Sequence, residues 1–328
     1  MRTHKRTRRA IALTLLLALP AVAPGEPRRS AGGAVEAARA ARAWLASPRE
    51  RRTLSAFAPA VRVELRVHDQ PRPQRLWVVT IDLAATGVAF ALTEPNPTSA
   101  PSGQSFETLC ETTLEFARRR DVDLAVNTSA FGPLRARTGE PMDVAGLAAV
   151  EGRVFSTAVK DYGAMYVSRD GRVSLSAPPL ESRGVWHVIP GFRMLIDDGR
   201  VVVDDADHAT SFGGPNPRTA VGTDRAGRTL WLIVADGRQP GTAVGLTLAE
   251  LAAVFQEVGA WDALNLDGGG STTLVMRTAE GPHRVVNSPI HGGIPGNLRQ
   301  VANNLGFVLP GRGPSQSDLS AVTGFRPD

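Results

Sequence analysis

The segment 265–273, Asn-Leu-Asp-Gly-Gly-Gly-Ser-Thr-Thr, constrains the fold of this chain more than any other segment. It lies between two apolar, strand-like segments. Because alternate side chains of a strand share a face, Asn265 and Asp267 are expected to point to one side and the intervening leucine to the other. Three glycines permit conformations closed to other residues and let a ligand approach bare amide groups. The segment therefore predicts a polar, anion-tolerant active site at a strand end, with a carboxylate, a carboxamide, free amides and a hydroxyl.

The first 25 residues have the pattern of an export signal. Basic residues cluster before residue 10, an apolar stretch follows over residues 10–23, and Ala21-Val22-Ala23 offers a small-residue cleavage site. The apolar stretch is too short for a comfortable membrane span. We therefore expect a secreted or extracytoplasmic protein, of the periplasm or cell envelope, with no stable membrane span once the signal has been removed.

The charge balance argues against a nucleic-acid-binding protein. The formal charge of +5 is the difference between 37 basic and 32 acidic residues. Five of the basic residues precede residue 25 and no acidic residue does, so 32 of each sign remain. A near-neutral chain lacks the basic surface that nucleic acid requires.

Composition and periodicity divide the chain into four parts. We predict a signal peptide at residues 1–25, an N-terminal helical or linker segment at 26–58, a folded domain at 59–310 and a flexible tail at 311–328. Within the domain, the predicted elements are strands at 61–67, 76–83, 87–92 and 122–126, a helix at 105–119, and hairpins at Asp170-Gly171 and Asp198-Gly199.

Residues 214–276 predict one strand–helix–strand crossover. Strands at 219–222 and 229–235 share a short connection, which makes them antiparallel neighbours. A capping box, Thr247 to Glu250, starts a helix that ends at Gly259, and a strand at 263–266 follows. The two strands that flank the helix should be parallel. The predicted fold is thus α+β, a mixed β-sheet with flanking helices, a hairpin-rich middle and one βαβ crossover that carries the site.

Parallel strands bring their carboxyl ends to one edge of a sheet. Asp236 and Asp267 follow the two strands, and the hairpin returns Arg218 to the same edge. If the strands are adjacent or separated by one, the carboxylates lie about 5–10 Å apart. That interval covers the separations used in paired-carboxylate glycoside hydrolysis, and ligands of open sheets favour this edge.

Three motifs give the chain a family resemblance. The segments NPRTAVG (216–222), ADGRQ (235–239) and NLDGGGS (265–271) resemble those of the phosphodiester glycosidase family. The similarity extends over roughly residues 59–310 and departs at 127–131, where the family commonly has small glycines after Asn127 and an aromatic pair. The resemblance implies an α+β domain with a mixed sheet, and hydrolysis of a sugar C1–O–phosphate linkage in a phosphodiester. It also implies a role on exopolysaccharide or cell-envelope glycans.

The residues suit that reaction. A departing phosphomonoester needs its charge neutralised, so Arg218, with Arg299 as a second candidate, is expected to hold the phosphate. Asp267 and Asp236 are the candidate catalytic carboxylates, and either can act as nucleophile or base on the oxocarbenium-like carbon. The candidate substrate-binding residues are Arg218, Asn265, Asn127, Gly268, Gly269, Gly270, Ser271 and Arg299.

Two other functions fit parts of the pattern. Asp236 and Asp267 could hold Ca²⁺ or Mg²⁺ in a phosphodiesterase that cleaves the P–O bond. The histidines lack metal-ligand spacing, so no metal site and no cofactor is predicted. A non-catalytic protein that binds envelope glycan is the other alternative, although aromatic residues make up only 5% of the chain. In each case the expected partner is a phosphorylated carbohydrate or envelope glycan.

Overall fold

A computed structural model describes residues 41–42, 44–54, 56–57, 59–98, 106–203 and 212–323. These residues belong to one compact unit. The predicted signal peptide lies outside them. Among the described residues, no helix has both the length and the apolar character that a membrane crossing requires.

The elements are numbered in chain order. The first group is β1 (Glu50–Leu54), β2 (Val61–His68), β3 (Gln74–Asp82), β4 (Ala89–Leu92), β5 (Thr108–Leu109), α1 (Thr113–Arg120) and β6 (Leu124–Asn127). The middle group is β7 (Phe131–Gly132), β8 (Pro141–Val144), β9 (Ala148–Val150), β10 (Arg153–Ser156), β11 (Ala164–Val167), β12 (Val173–Ser176), β13 (His187–Pro190), β14 (Met194–Asp197) and β15 (Arg200–Val201). The last group is β16 (Arg218–Thr223), β17 (Thr229–Ala235), α2 (Leu248–Val258), β18 (Asp262–Asn265), β19 (Leu274–Arg277), β20 (His283–Val285), β21 (Asn304–Val308) and α3 (Gln316–Thr323).

The strands form four sheets. The largest has the order β1-β2-β3-β17-β16-β18-β14-β15, and the others are β10-β9-β13-β11-β12, β20-β19-β6-β21-β4 and β5-β8-β7. Every ladder between these strands is antiparallel. The fold is thus mainly β with few helices, and its sheets are antiparallel rather than mixed. Most consecutive strands are joined by connections too short to return a strand in parallel.

The largest sheet is buried on both faces. On β3, Trp77 and Val79 pack into a core shared with the other sheets, whereas Leu76 and Val78 face the other way, into a core with α2. This explains the continuous apolar run of β3, because a strand covered on both sides has no polar face. Each such apolar side chain contributes roughly 1.5–3 kcal/mol on burial.

The strand order sets β17 and β18 on either side of β16. Both strands pair antiparallel with β16, which lies between them, so they are parallel to each other. The capping box is confirmed, since the Thr247 hydroxyl accepts from the Glu250 amide at 3.2 Å and the Glu250 carboxylate accepts from the Thr247 amide at 2.8 Å. Gly259 ends α2 in the left-handed region, with φ of 88°.

The predicted helix at residues 105–119 starts too early. Thr112 caps α1 with a capping box to Glu115, so the helix begins at Thr113. The preceding β5 instead pairs with β8. Periodicity located the helix, but the sheet pairing of its first residues outweighed local propensity.

Both ends of the predicted domain are continued by regular structure. β1 pairs with β2 and extends the large sheet into the segment predicted as a linker. At the other end α3 lies in the predicted tail, and its Leu319 is buried in the main core. The domain limits of 59–310 stay a prediction.

Candidate active site

The glycine loop, residues 268–271, forms a tight corner at the end of β18. The Gly269 amide donates to the Pro217 carbonyl at 2.9 Å, and the Ser271 amide donates to the Gly268 carbonyl at 3.2 Å. A Cβ on Gly268 would lie 2.5 Å from the Pro217 oxygen, so only glycine fits there. The expectation of free amides is therefore wrong for Gly269 and Ser271, since main-chain carbonyls already occupy them.

Asp267 lies at the start of this corner, and as a residue it is partly exposed. Burial raises its pKa from 3.8 to about 6. The Ser271 hydroxyl, the Gly268 amide and the positive charges of Arg299 and Arg238 act in the opposite direction and favour the ionised form. The result is a carboxylate with a pKa raised to about 6 in a partly exposed residue, which is typical of a catalytic group.

Arg299 lies over the glycine loop. Its Nε donates to His291 Nδ1 at 3.0 Å, and its Nη1 donates to Ser271 Oγ at 3.3 Å. A Cβ on Gly270 would lie 2.6 Å from Arg299 Nη2, so this glycine makes room for the guanidinium. Because His291 Nδ1 accepts, the proton of the neutral imidazole resides on Nε2. Burial lowers the pKa of Arg299, and Asp267 opposes that shift.

Arg238 is a second cation at this site, and sequence analysis missed it. Its Nε and Nη2 donate to Asn216 Oδ1 at 3.1 and 2.9 Å, and its backbone is left-handed, with φ of 57°. A Cβ on Gly269 would lie 3.1 Å from Arg238 Nη2. The available signal was its place in the ADGRQ motif, directly after an Asp-Gly turn. Two guanidinium groups thus cover consecutive glycines beside Asp267, and together they form an anion site.

Tyr162 lies near Asp267 and belongs to a row of three aromatic side chains. Burial and the nearby charge of Asp267 both raise the pKa of Tyr162. The rings of Tyr162 and Phe192 are 4.9 Å apart, and those of Phe192 and Phe212 are 5.2 Å apart. No sequence pattern predicted this wall, because its three members come from separate loops.

Asp236 is buried beneath the segment 287–288. Its Oδ1 accepts from the Ser288 amide at 2.7 Å and from Asn287 Nδ2 at 3.1 Å. Its Oδ2 has no hydrogen-bond partner among the described residues and lies 3.9 Å from Arg75 Nε. Burial raises the pKa of this carboxyl. Asn287 Nδ2 also bonds the Thr272 carbonyl, so Asp236 is connected to the end of the glycine loop.

Arg218 turns its donors to main-chain carbonyls. Its Nη2 donates to the carbonyls of Phe212 and Gly214, each at 2.7 Å, and its Nε donates to that of Leu246 at 2.9 Å. Burial, helped by the charge of Arg238, lowers its pKa to about 10. Its backbone does reach the shared edge, since a Cβ on Gly268 would lie 3.6 Å from its Cα.

Asn127 and Asn265 are both buried. Asn127 Nδ2 donates to the Asp267 carbonyl at 2.7 Å, and its Oδ1 accepts from Thr219 Oγ1 at 2.8 Å and from the Thr273 amide at 3.1 Å. It therefore ties β6 to β16 and to both ends of the glycine loop. Asn265 Oδ1 has no partner among the described residues.

The described part of the chain contains no group of three or more His, Cys, Asp or Glu side chains placed to hold a metal ion. Asp236 and Asp267 have different neighbours, one buried under Ser288 and the other beside Ser271.

Solved structures show where this architecture recurs. The zebrafish N-acetylglucosamine-1-phosphodiester alpha-N-acetylglucosaminidase catalytic domain, auto-inhibited by its pro-peptide, is similar with a TM-score of 0.52 and 19% identity, over 80% of this chain and 88% of that one. A candidate exported protein of Burkholderia pseudomallei K96243 is similar with a TM-score of 0.51 and 18% identity, over 74% and 75%. At these identities the likeness shows the fold alone.

Curated relatives match over shorter regions. The SPbeta prophage-derived uncharacterized protein YomE of Bacillus subtilis (strain 168) is 29% identical over 192 residues, which is 55% of this chain and 28% of YomE. The mouse N-acetylglucosamine-1-phosphodiester alpha-N-acetylglucosaminidase is 34% identical over 96 residues, which is 28% of this chain and 18% of the mouse protein. The chain thus aligns with less than a third of the length of either relative.

The family itself is established by a longer match. The sequence profile of the phosphodiester glycosidase family matches residues 120–308, more than half of the chain. That range contains Asp267, the glycine loop and both cations that cover it. The chain belongs to the phosphodiester glycosidase family.

Proposed function

We propose that this chain is an exported hydrolase that cleaves the sugar C1–O–phosphate linkage of a sugar-1-phosphodiester or a phosphate-containing envelope glycan. Family membership and the name of the mouse relative support the reaction class. The observation that carries the proposal is the placement of Asp267 beside Arg299 and Arg238 on the glycine loop.

The two guanidinium groups bind the phosphodiester. Arg299 and Arg238 are held in place by His291 and Asn216, so little side-chain entropy remains to be lost on binding. Their charge also stabilises the phosphomonoester as it departs. The sequence predicted phosphate binding by Arg218, with Arg299 as a second candidate. The donors of Arg218 serve Phe212, Gly214 and Leu246 instead, and Arg238 joins Arg299.

Asp267 faces the anomeric carbon. With a pKa of about 6 it is mostly ionised at pH 7, and its charge stabilises the oxocarbenium-like centre. Water supplies the oxygen that bonds to C1. One of its protons stays on the new sugar hydroxyl, and the other is released to the solvent. The C1–O bond breaks, and its electron pair leaves with the phosphate. The aromatic wall of Tyr162, Phe192 and Phe212 borders this region and contacts the sugar ring.

Asp236 acts as a positioning residue. Its carboxylate holds Ser288 and Asn287, and Asn287 in turn bonds the Thr272 carbonyl next to the glycine loop. Asn127 supports the loop from the other side through the Asp267 carbonyl. Buried side chains of this kind fix the geometry in which the reacting groups meet.

Hydrolysis of an N-acetylglucosamine-1-phosphodiester in ¹⁸O-water tests the proposal. Cleavage at C1 gives free sugar that carries ¹⁸O and an unlabelled phosphomonoester. Asp267→Asn should lose almost all activity, whereas Asp197→Asn, which neutralises an exposed carboxylate on β14, should retain it. Label on the phosphate would show P–O cleavage and support a phosphodiesterase. Glycan binding without turnover by the unaltered protein, over a panel of sugar-1-phosphodiesters, would support a non-catalytic role.

A further inference from the structure

A second groove, of about 580 Å³, lies away from the glycine loop. Three segments line it: the turn between β11 and β12, the turn between β16 and β17, and residues 179–186. We name it the arginine groove. Its volume falls in the range of small-molecule and saccharide sites. Nothing in the proposed hydrolysis uses these residues.

The arginine groove and the glycine loop lie at opposite ends of β16. Arg218 begins this strand beside the glycine loop, and Thr223 ends it just before the turn that carries Arg225. Five residue steps along a strand span about 17 Å. The groove therefore cannot be a pocket of the catalytic centre.

The base of the arginine groove is rigid. The Val173 amide donates to the Gly227 carbonyl at 3.0 Å, which joins the two turns. A Cβ on Gly227 would lie 2.3 Å from the Val173 oxygen, so the close approach requires glycine. The side chains on these turns are thus presented from a fixed backbone, which favours binding.

Positive charge dominates the lining. Arg169, Arg172 and Arg225 line the groove together with one acidic residue, Glu181. Within the described part of the chain, Arg169 and Arg225 make no ion pair. Arg172 pairs with Asp170 at 3.0 Å, but both side chains are more than half exposed, so this pair is weak. The chain after residue 25 is nearly neutral, so this concentration of positive charge is local.

Aromatic rings lie among these cations. The Arg169 guanidinium lies 3.8 Å from the centre of the Trp186 ring, which also lines the groove, and Arg225 lies 4.9 Å from that of Trp261, which lies outside the lining. A guanidinium stacked on an indole keeps its N–H edge available for a bidentate contact with phosphate or carboxylate. Tyr166 lines the same groove, and its hydroxyl donates to the Glu181 carbonyl at 3.0 Å. Trp186 is only partly buried, so part of the ring remains open to a sugar.

We propose that the arginine groove binds an anionic saccharide, a glycan segment that carries phosphate or carboxylate groups. Arg169, Arg172 and Arg225 pair with the anions, and Trp186 and Tyr166 contact the sugar rings. The site is separate from the glycine loop, and its binding does not require hydrolysis. It gives the chain a second point of attachment to a charged glycan.

Isothermal titration calorimetry with the full chain tests this site. The probes are an oligogalacturonate, a phosphomannan oligosaccharide and neutral maltohexaose. Either anionic probe should bind, more weakly at higher salt because exposed charges are screened. Arg169→Gln combined with Arg225→Gln should weaken binding at least tenfold, and Trp186→Ala severalfold. Arg284→Gln, which removes an exposed arginine on β20, is the matched control and should leave the affinity unchanged. The anion that binds more tightly identifies the charged group.

Further variants separate this site from the active site and from unfolding. Arg299→Gln, which removes a cation of the glycine loop, should retain full affinity for the anionic probes. Trp186→Phe keeps an aromatic ring at this position. A melting curve by circular dichroism shows whether the variant is still folded. The proposal is overturned if neither anionic probe binds at millimolar concentration, if maltohexaose binds equally well, or if Arg284→Gln weakens binding as much as the combined Arg169→Gln and Arg225→Gln change does. Loss of binding in Arg299→Gln would also overturn it.

Discussion

Gly270 lies directly beneath the guanidinium of Arg299, so close that a Cβ would be 2.6 Å from Nη2. Gly270→Ala should therefore displace Arg299 and lower kcat/KM at least tenfold, because small misplacements of a binding group are costly. The melting temperature should change little, since the obstructing atoms belong to a flexible side chain. Gly132→Ala, where a Cβ meets no atom within 4 Å, is the control and should keep full activity. Unchanged kcat/KM in Gly270→Ala would argue against phosphate binding by Arg299.

The pH dependence should report the ionisation of Asp267. Because the ionised carboxylate is the active form, kcat/KM should rise with pH through about 6. The positive charge of Arg299 favours that ionised form, so Arg299→Gln should move the acid limb upward by about one pH unit. Arg284→Gln is again the control. An acid limb that stays in place in Arg299→Gln would show that these two residues are not electrostatically coupled.

Asp267 should also reduce stability. Its folded-state pKa is raised, so the folded state holds a proton that the unfolded state has released between pH 3.8 and about 6. Stability therefore falls as pH rises through this window. Asp267→Asn should remove this cost and raise the free energy of unfolding at pH 7.5 by at most about 3 kcal/mol, at 1.36 kcal/mol for each unit of pKa. Chemical denaturation should show the gain shrinking towards pH 4, and a gain independent of pH would contradict the explanation.

Arg218 should stabilise the fold rather than bind substrate. Arg218→Met leaves the buried carbonyls of Phe212, Gly214 and Leu246 without their donor and should lower the free energy of unfolding by roughly 2–5 kcal/mol. The KM of the folded fraction of Arg218→Met, measured at low temperature, should be unchanged. A tenfold increase in KM with intact stability would return Arg218 to the phosphate-binding role that its motif suggested.

Local sequence determined the elements whose signals are short-range. The capping box at Thr247, the left-handed Gly259 and the Asp-Gly hairpins at Asp170 and Asp198 were all predicted, because each depends on contacts within a few residues. The helix start at Thr113 was not, because the pairing of β5 with β8 is a long-range contact.

For the candidate site too, the sequence predicted some features and missed others. The order of strand, helix and strand was enough to place the chain segments of Arg218, Asp236 and Asp267 at one edge. The directions of their side chains were not determined by that order. Arg218 turns towards the carbonyls beside α2, Asp236 is buried under Ser288, and Asp267 alone remains accessible beside the glycine loop.

The sequence by itself therefore determined the glycine corner, the acidic residue that precedes it and the family to which both belong. Only the tertiary structure decided that Arg238 joins Arg299 beside Asp267, that the side chain of Arg218 does not, and that Tyr162 borders them. A guanidinium at the end of a long side chain goes wherever buried acceptors or a partly desolvated carboxylate stabilise it most. Those groups come from distant parts of the chain, so no local pattern encodes the outcome.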